Sequence, residues 1–287
     1  MDHPRIGIIG GSGLYAMKGL ENLGEHHIDT PYGAPSDTIF TGVLDNVPVA
    51  FLARHGRGHR LIPSEVPYRA NIHALKFLGV RELLSISAVG SLRENIAPLD
   101  MVLPDQFIDL TRRRETTFFG DGAVAHVAMA DPVCPLLAAR VATAFAHSKL
   151  PDVRLHRGGT YACIEGPAFS TRAESHMLRR MGAHIVGMTN MPEARLAREA
   201  QMAYATLALV TDYDCWHTQR EAVSADMAIA NLMRNAEHAQ TVVRTLVGLL
   251  HAAPIASPAH TALHSALVTR VEDMTPGVRA RLDVLLA

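Results

Sequence analysis

What most limits how this chain can fold is the way its apolar runs stop. Ile6 to Ile9 end abruptly in Gly10-Gly11-Ser12-Gly13, which reads as a buried strand followed by a tight turn. Val49 to Ala53 end at Arg54-His55-Gly56-Arg57-Gly58-His59, Leu83 to Ser87 run into Ala88-Val89-Gly90, and Tyr161 to Ile164 lead into Glu165-Gly166-Pro167. Met101 to Leu103 with Phe107 and Ile108, His184 to Met188, and Ala203 to Thr211 read as further strands.

Helical periodicities lie between these runs. Tyr68, Ile72 and Leu75 recur at spacings of four and three, with Ser64 as the candidate N-cap and Gly79 as the stop. Leu137, Val141 and Phe145 mark a helix ending near Lys149. Thr171 with Glu174 is a capping-box pattern for a helix through Met181, which Gly182 terminates. A helix with Glu193 in its first turn follows, and a last long one runs from Ser224 to about His251. The alternation predicts an α/β fold, a single domain over residues 1–253 with a central mixed β-sheet flanked by helices. Pro254, Pro258 and small residues give 254–287 the look of a linker-like tail that adds a final helix or docks on a partner subunit.

Composition narrows the function classes. With 287 residues, 48% of them hydrophobic, the chain can bury one large core. Lys plus Arg number 27 against 28 for Asp plus Glu, so no electrostatic footprint for nucleic acid or an anionic membrane is present. Cys134, Cys163 and Cys215 are far apart and lack C-x-x-C spacing, which predicts buried thiols rather than a disulfide framework or a zinc site. The start, MDHPRIGIIGG, lacks a signal-peptide core, and no stretch approaches the ~18 to 20 apolar residues of a membrane span, so a cytoplasmic setting is expected. His55 and His59 have i, i+4 spacing, but Gly56 and Gly58 oppose a helix there and no metal is expected.

In open α/β sheets ligands collect beyond the carboxyl ends of the strands. At those ends the sequence places Ser12 in a glycine turn, Arg54 with His55, Ser87 with Ala88, and Met188 with Thr189. Backbone amides, hydroxyls, a guanidinium and an imidazole are suited to one phosphate dianion. Each alone has a plainer reading, a ligand-free turn at Ser12, surface solvation at Arg54 and His55 and a structural role at Ser87 and Thr189, and the glycine spacing fails both the P-loop and the full dinucleotide fingerprint. Asp212 and Asp214 alternate along an extended segment and so face the same side. Two close carboxylates push their pKa values apart, which suits one to donate a proton; a solvated loop is the plainer reading.

Taken together, IGIIGGSGL, RHGRGH, YRANIHALK, SAVGSLRE, DQFID, IEGPAFSTRAES, GMTNMPEA and TDYDCW, in that order, resemble the trimeric purine nucleoside phosphorylase family, and within it the subgroup acting on 5′-methylthioadenosine. The resemblance covers roughly residues 5 to 250 and implies phosphorolysis: phosphate attacks the anomeric carbon as the purine departs. It implies a phosphate site of Ser12, Arg54, His55, Ser87, Ala88 and Thr189, with Met188 along the ribose and Phe169 and Ser170 walling the base. Asp212 matches the residue that donates to the imidazole-ring nitrogen of departing adenine, and Asp214 its partner near the 6-amino group. The related 6-oxopurine enzymes carry glutamate at the position of Ser170 and asparagine at that of Asp212, so a 6-aminopurine is expected, a phosphorylase for methylthioinosine or other 6-oxopurine nucleosides being the alternative. Ala225, Ala228 and Ile229 would line the 5′ end of the sugar, with His126 reaching in from a neighbouring subunit. Departures are Ala225, where animal relatives usually carry Val, and Gly187 and Asn190, where they carry Asn and Thr. The implied partners are a small-molecule nucleoside, inorganic phosphate as co-substrate with no further cofactor, and a homotrimer with active sites near its subunit interfaces. A nucleoside hydrolase would want a calcium-binding aspartate cluster, and an NAD-linked protein is suggested only by the glycine turn.

Overall fold

A computed structural model describes residues 5–11, 17, 19–217 and 225–287, the side chains of the last stretch from residue 230 onward. Its strands are β1 (Ile6–Gly10), β2 (Leu20–His26), β3 (Ile39–Leu44), β4 (Val47–Ala53), β5 (Glu82–Ser91), β6 (Met101–Leu103), β7 (Gln106–Asp109), β8 (Leu155–Arg157), β9 (Thr160–Cys163), β10 (Ile185–Gly187) and β11 (Ala203–Asp212). Its helices are α1 (Tyr68–Phe77), α2 (Pro135–His147), α3 (Arg172–Arg180), α4 (Asn190–Glu199), α5 (Ala225–Ala252) and α6 (Pro276–Leu286).

All the strands join one mixed sheet. β1 lies parallel to β4 and β5, and β11 lies parallel to β5 along nearly its whole length. These strands read as continuous apolar runs because helices cover both faces: every residue of β1 and β11 is buried. On one face α2 and α5 pack Leu137, Val141, Val243, Leu246 and Leu250 against the sheet. On the other, α1, α4 and α6 contribute Ile72, Leu75, Leu196, Leu282 and Leu285.

The sheet forks at β5. Its first half pairs with β1 as far as Ile9 opposite Ser85, and its last residues pair on the same edge with antiparallel β10, Val186 opposite Gly90. Between the two pairings Ile86 to Val89 have no ladder partner on that edge. Such a topological switch is where an α/β sheet opens a crevice.

At the level of elements, Ser64 departs from expectation, strands β2 and β3 are added, and the final helix expected of the tail forms as α6. Ser64 does not cap α1: the cap position is Pro67, without a side-chain bond, and the Ser64 hydroxyl turns instead to the Glu165 carboxylate. β2 and β3 carry no unbroken apolar run because they form an antiparallel edge with one face in solvent, and β2 is largely exposed. The chain after α5 folds back on its own body, with Leu263, Met274, Leu282 and Leu285 in the core of the α1/α4 face. Cys134 and Cys163 are buried, whereas Cys215 is half-buried.

Candidate active site

The crevice is built from the base of the fork upward. Arg54 follows β4, its backbone N–H donating to Gly10 O at 2.9 Å, and its side chain, 2% exposed, runs under the gap between β1 and β5. Nη1 donates to Ile86 O at 3.0 Å, and Nη2 to Ser85 Oγ at 2.6 Å. The bidentate fork that the sequence offered to an anion grips Glu193 instead, Nε to Oε2 at 2.7 Å and Nη2 to Oε1 at 3.0 Å. A cation this deep needs a carboxylate partner. Glu193 is fully buried and also accepts from Tyr204 Oη at 2.9 Å. The bonds to Glu193, Ser85 and Ile86 engage four of the five N–H groups of the Arg54 guanidinium.

His55 comes next, at a turn made possible by Gly56 (φ 71°) and Gly58 (φ 77°). Its Nδ1 lies 2.9 Å from Leu61 O, so Nδ1 carries the proton and Nε2 a lone pair. Burial, and then the charge of Arg54, lower its pKa to about 4, so the ring is neutral near pH 7. Its face stacks on His59 at 4.2 Å between centroids, and among the described residues no group of three or more His, Cys, Asp or Glu could hold a metal.

On the unpaired edge itself Ala88 is exposed and Ser87 buried. Ser87 Oγ is 3.1 Å from both Thr189 Oγ1 and Tyr161 Oη. Thr189 stands at the start of α4, and Met188, half-buried, precedes it. Gly187 is required here: a Cβ would fall 2.0 Å from Tyr161 Oη. Asn190 lies below the crevice, its Nδ2 donating to Tyr204 Oη at 2.7 Å.

The two aspartates close the other end. A register shift between Val210 and Asp212 sets Asp212 opposite Gly90. Gly90 is the residue that lets them in, since a Cβ there would meet Asp212 Oδ1 at 2.9 Å and Asp214 Cβ at 3.3 Å. Asp212 Oδ2 accepts from Thr211 Oγ1 at 2.6 Å and Oδ1 from Asp214 N at 2.7 Å. Both carboxyls are buried, and burial raises both pKa values, for Asp214 with help from the Asp212 charge. Asp214 Oδ2 lacks a well-formed hydrogen bond, although the Ser175 hydroxyl is near enough to temper its shift. Ser170 is drawn to the same place, its carbonyl 3.1 Å from Cys215 Sγ and its buried Oγ without a partner. Phe169 beside it is 48% exposed.

The fold thus gathers Arg54, His55, Ser87, Ala88, Met188 and Thr189 along the fork, and Ser170, Asp212 and Asp214 at its far end. Ser12 lies outside the described residues, as do the side chains of Ala225, Ala228 and Ile229 in the first turns of α5. His126 is exposed on an arm against the C-terminal segment, its N–H donating to Ala266 O at 2.8 Å.

A family model described as the phosphorylase superfamily matches residues 5–248. This chain belongs to that superfamily. It is 56% identical to an S-methyl-5'-thioadenosine phosphorylase of Thermosynechococcus vestitus, over 99% of this chain and 98% of the relative. It is 53% identical to one of Gloeobacter violaceus, over 100% of this chain and 97% of the relative. Among solved structures, a methylthioadenosine phosphorylase from an antarctic soil metagenomic library is 60% identical with a TM-score of 0.96, each chain covered completely. The methylthioadenosine phosphorylase of Schistosoma mansoni in complex with adenine is 35% identical, with a TM-score of 0.82 over 98% of this chain and 97% of that one.

Glu193, Tyr161 and Gly90 had no local signal for the crevice, because the residues they meet there, Arg54, Ser87 and Asp212 respectively, lie 70 or more positions away in sequence. Glu193 reads as an ordinary first-turn helix acid, and Tyr161 as a strand aromatic. A buried arginine's need for a counter-charge was the one clue, and it names no partner.

Proposed function

We propose that the chain splits S-methyl-5′-thioadenosine with inorganic phosphate, giving adenine and 5-methylthioribose 1-phosphate. The observation that carries this reading is the buried Asp212–Asp214 pair, both pKa values raised, set over Gly90 at one end of a crevice whose other end presents hydroxyls and an unpaired strand edge. Phosphate would sit against His55, Ser87, the Ala88 amide and Thr189, with the fifth N–H of Arg54 and Ser12 as further donors. His55 Nε2 accepts a hydrogen bond from a phosphate hydroxyl, while the hydroxyls donate to the bare oxygens.

A phosphate oxygen attacks C1′ of the ribose as the C1′–N9 bond breaks, its electron pair passing into the purine. Asp212, whose protonated form burial favours, gives a proton to N7, so adenine leaves neutral and the carboxylate regains a proton from water. Asp214 accepts from the 6-amino group, and Ser170 stands where the 6-oxopurine enzymes carry glutamate. Met188 lies along the sugar, and Phe169 packs on the base. Ala225, Ala228 and Ile229 line the methylthio end, and His126 completes the site of a neighbouring subunit in a homotrimer. The enzyme works in the cytoplasm; no helix among the described residues is long and apolar enough to cross a membrane.

Product analysis with methylthioadenosine, adenosine, methylthioinosine and inosine, each with and without phosphate, tests the reading. Adenine should appear from methylthioadenosine only when phosphate is present. Cleavage without phosphate, or a preference for the inosine compounds, would overturn it.

A further inference from the structure

The Met188–Met191 turn and the loop from Glu165 to Ser170 bring two halves of the site together, yet no strand pairing joins them beyond Cys163 opposite Gly187. One side chain spans them. Arg114, in the segment after β7, has a side chain only 1% exposed that reaches both. Its Nη1 lies 2.7 Å from Met188 O, 2.6 Å from Met191 O and 3.1 Å from Tyr68 Oη. Its Nη2 lies 2.9 Å from Glu165 O and 3.5 Å from Ile164 O, and its Nε 3.3 Å from Glu165 Oε1.

The carbonyls on the first side bracket Thr189, and Met191 has extended dihedrals (φ −120°, ψ 131°) inside α4. The guanidinium therefore serves carbonyls where the helix ladder is interrupted. The carbonyls on the second side stand just before Gly166, where a Cβ would lie 2.5 Å from Met188 Sδ, so the two segments are in contact as well as bridged. The Glu165 carboxylate is itself fixed by the N–H groups of Arg112 and Arg113, at 2.7 and 3.2 Å.

We infer that Arg114 is a positioning residue that couples the ribose-phosphate turn to the purine wall, so that phosphate binding orders the wall that receives the base. The inference rests on the phosphorolysis reading above and deepens it. Arg114 is too deeply enclosed to touch a ligand, and its effect must pass through the two backbone segments. Only a planar, two-branched donor can hold both; a lysine of the same charge reaches one set of carbonyls at a time.

The test is calorimetric titration of adenine and of phosphate, each alone and each with the other saturating, on the wild-type chain and on Arg114→Lys and Arg114→Met. In the wild type, saturating phosphate should tighten adenine about tenfold. In either variant the tightening should fall below about twofold, with kcat/KM down about 100-fold. An unchanged tightening in a folded variant would overturn the inference. Hydrogen exchange on the wild-type protein gives a second measurement that does not depend on the variants folding. Phosphate alone should slow exchange in residues 165–170 as well as 187–191, and protection confined to 187–191 would equally overturn it. Failure of the wild type to release adenine with phosphate would count against the phosphorolysis reading and leaves the coupling result to stand on its own.

Discussion

At the scale of single residues, burial sets the chemistry. Asp212 has its carboxyl held above the usual range chiefly by loss of water, opposed by bonds from Thr211 and the Asp214 amide. With Asp212 as the proposed proton donor, a raised pKa carries its protonated form further up the pH scale, so kcat for methylthioadenosine should decline on the alkaline side as that proton is lost. In Asp212→Asn the limb should vanish, kcat/KM should fall by about 10² to 10⁴, and the ratio of 6-oxo to 6-amino turnover should rise. An unchanged ratio would remove Asp212 from base selection. His55 works in the opposite direction. It titrates at about 4 in the fold and near 6.5 unfolded. Between those values the unfolded chain binds more protons, so stability is lost as pH falls from about 6.5 towards 4, by roughly 3 kcal/mol in full. Melting curves at pH 7 and pH 5 should show a steeper loss for the wild type than for His55→Gln. The donors and acids themselves were legible in the sequence because they follow strands. What Arg54 does with its fork was not, since Glu193 lies 139 positions away.

At the scale of elements, the crevice is a product of strand pairing. β1 leaves the β5 edge at Ser85 and β10 takes it up at Gly90. Gly90 then has two tasks, pairing with Val186 and making room for the aspartates. Gly90→Ala pushes Asp212 by several tenths of an ångström, and kcat/KM should fall about 100-fold while the melting temperature drops only a few degrees, for a cost of ~1 to 3 kcal/mol. Equal activity in a folded Gly90→Ala protein would show that the acid tolerates displacement. The long buried strands and the Thr171–Glu174 capping box could be read directly, because their signals are local. Strand order could not, and neither could the antiparallel run of β10 against β5, because nothing within three residues of Ile185 records its direction.

At the scale of the whole molecule, the C-terminal segment belongs to the core. Thr275 caps α6, its Oγ1 accepting from Val278 N at 3.3 Å, and Leu282 and Leu285 are completely buried beside α1. Leu282→Ala should cost about 2 to 5 kcal/mol, seen as a lower unfolding midpoint in urea with kcat little changed; a neutral result would mean that α6 rests on the body without supporting it. Proline and small residues gave this stretch the look of a linker because its first half folds as short irregular turns, without a helical or strand periodicity to mark its apolar side chains.

A bare strand edge is ordinarily a hazard, since its free amides and carbonyls can recruit a passing chain and seed aggregation. The open stretch of β5 runs only from Ile86 to Val89, roughly 13 Å at ~3.3 Å per residue, and is stopped at one end by β1 and at the other by β10. That opening is shorter than the ~17 to 20 Å of a usual strand, which leaves an invading chain little length to pair along.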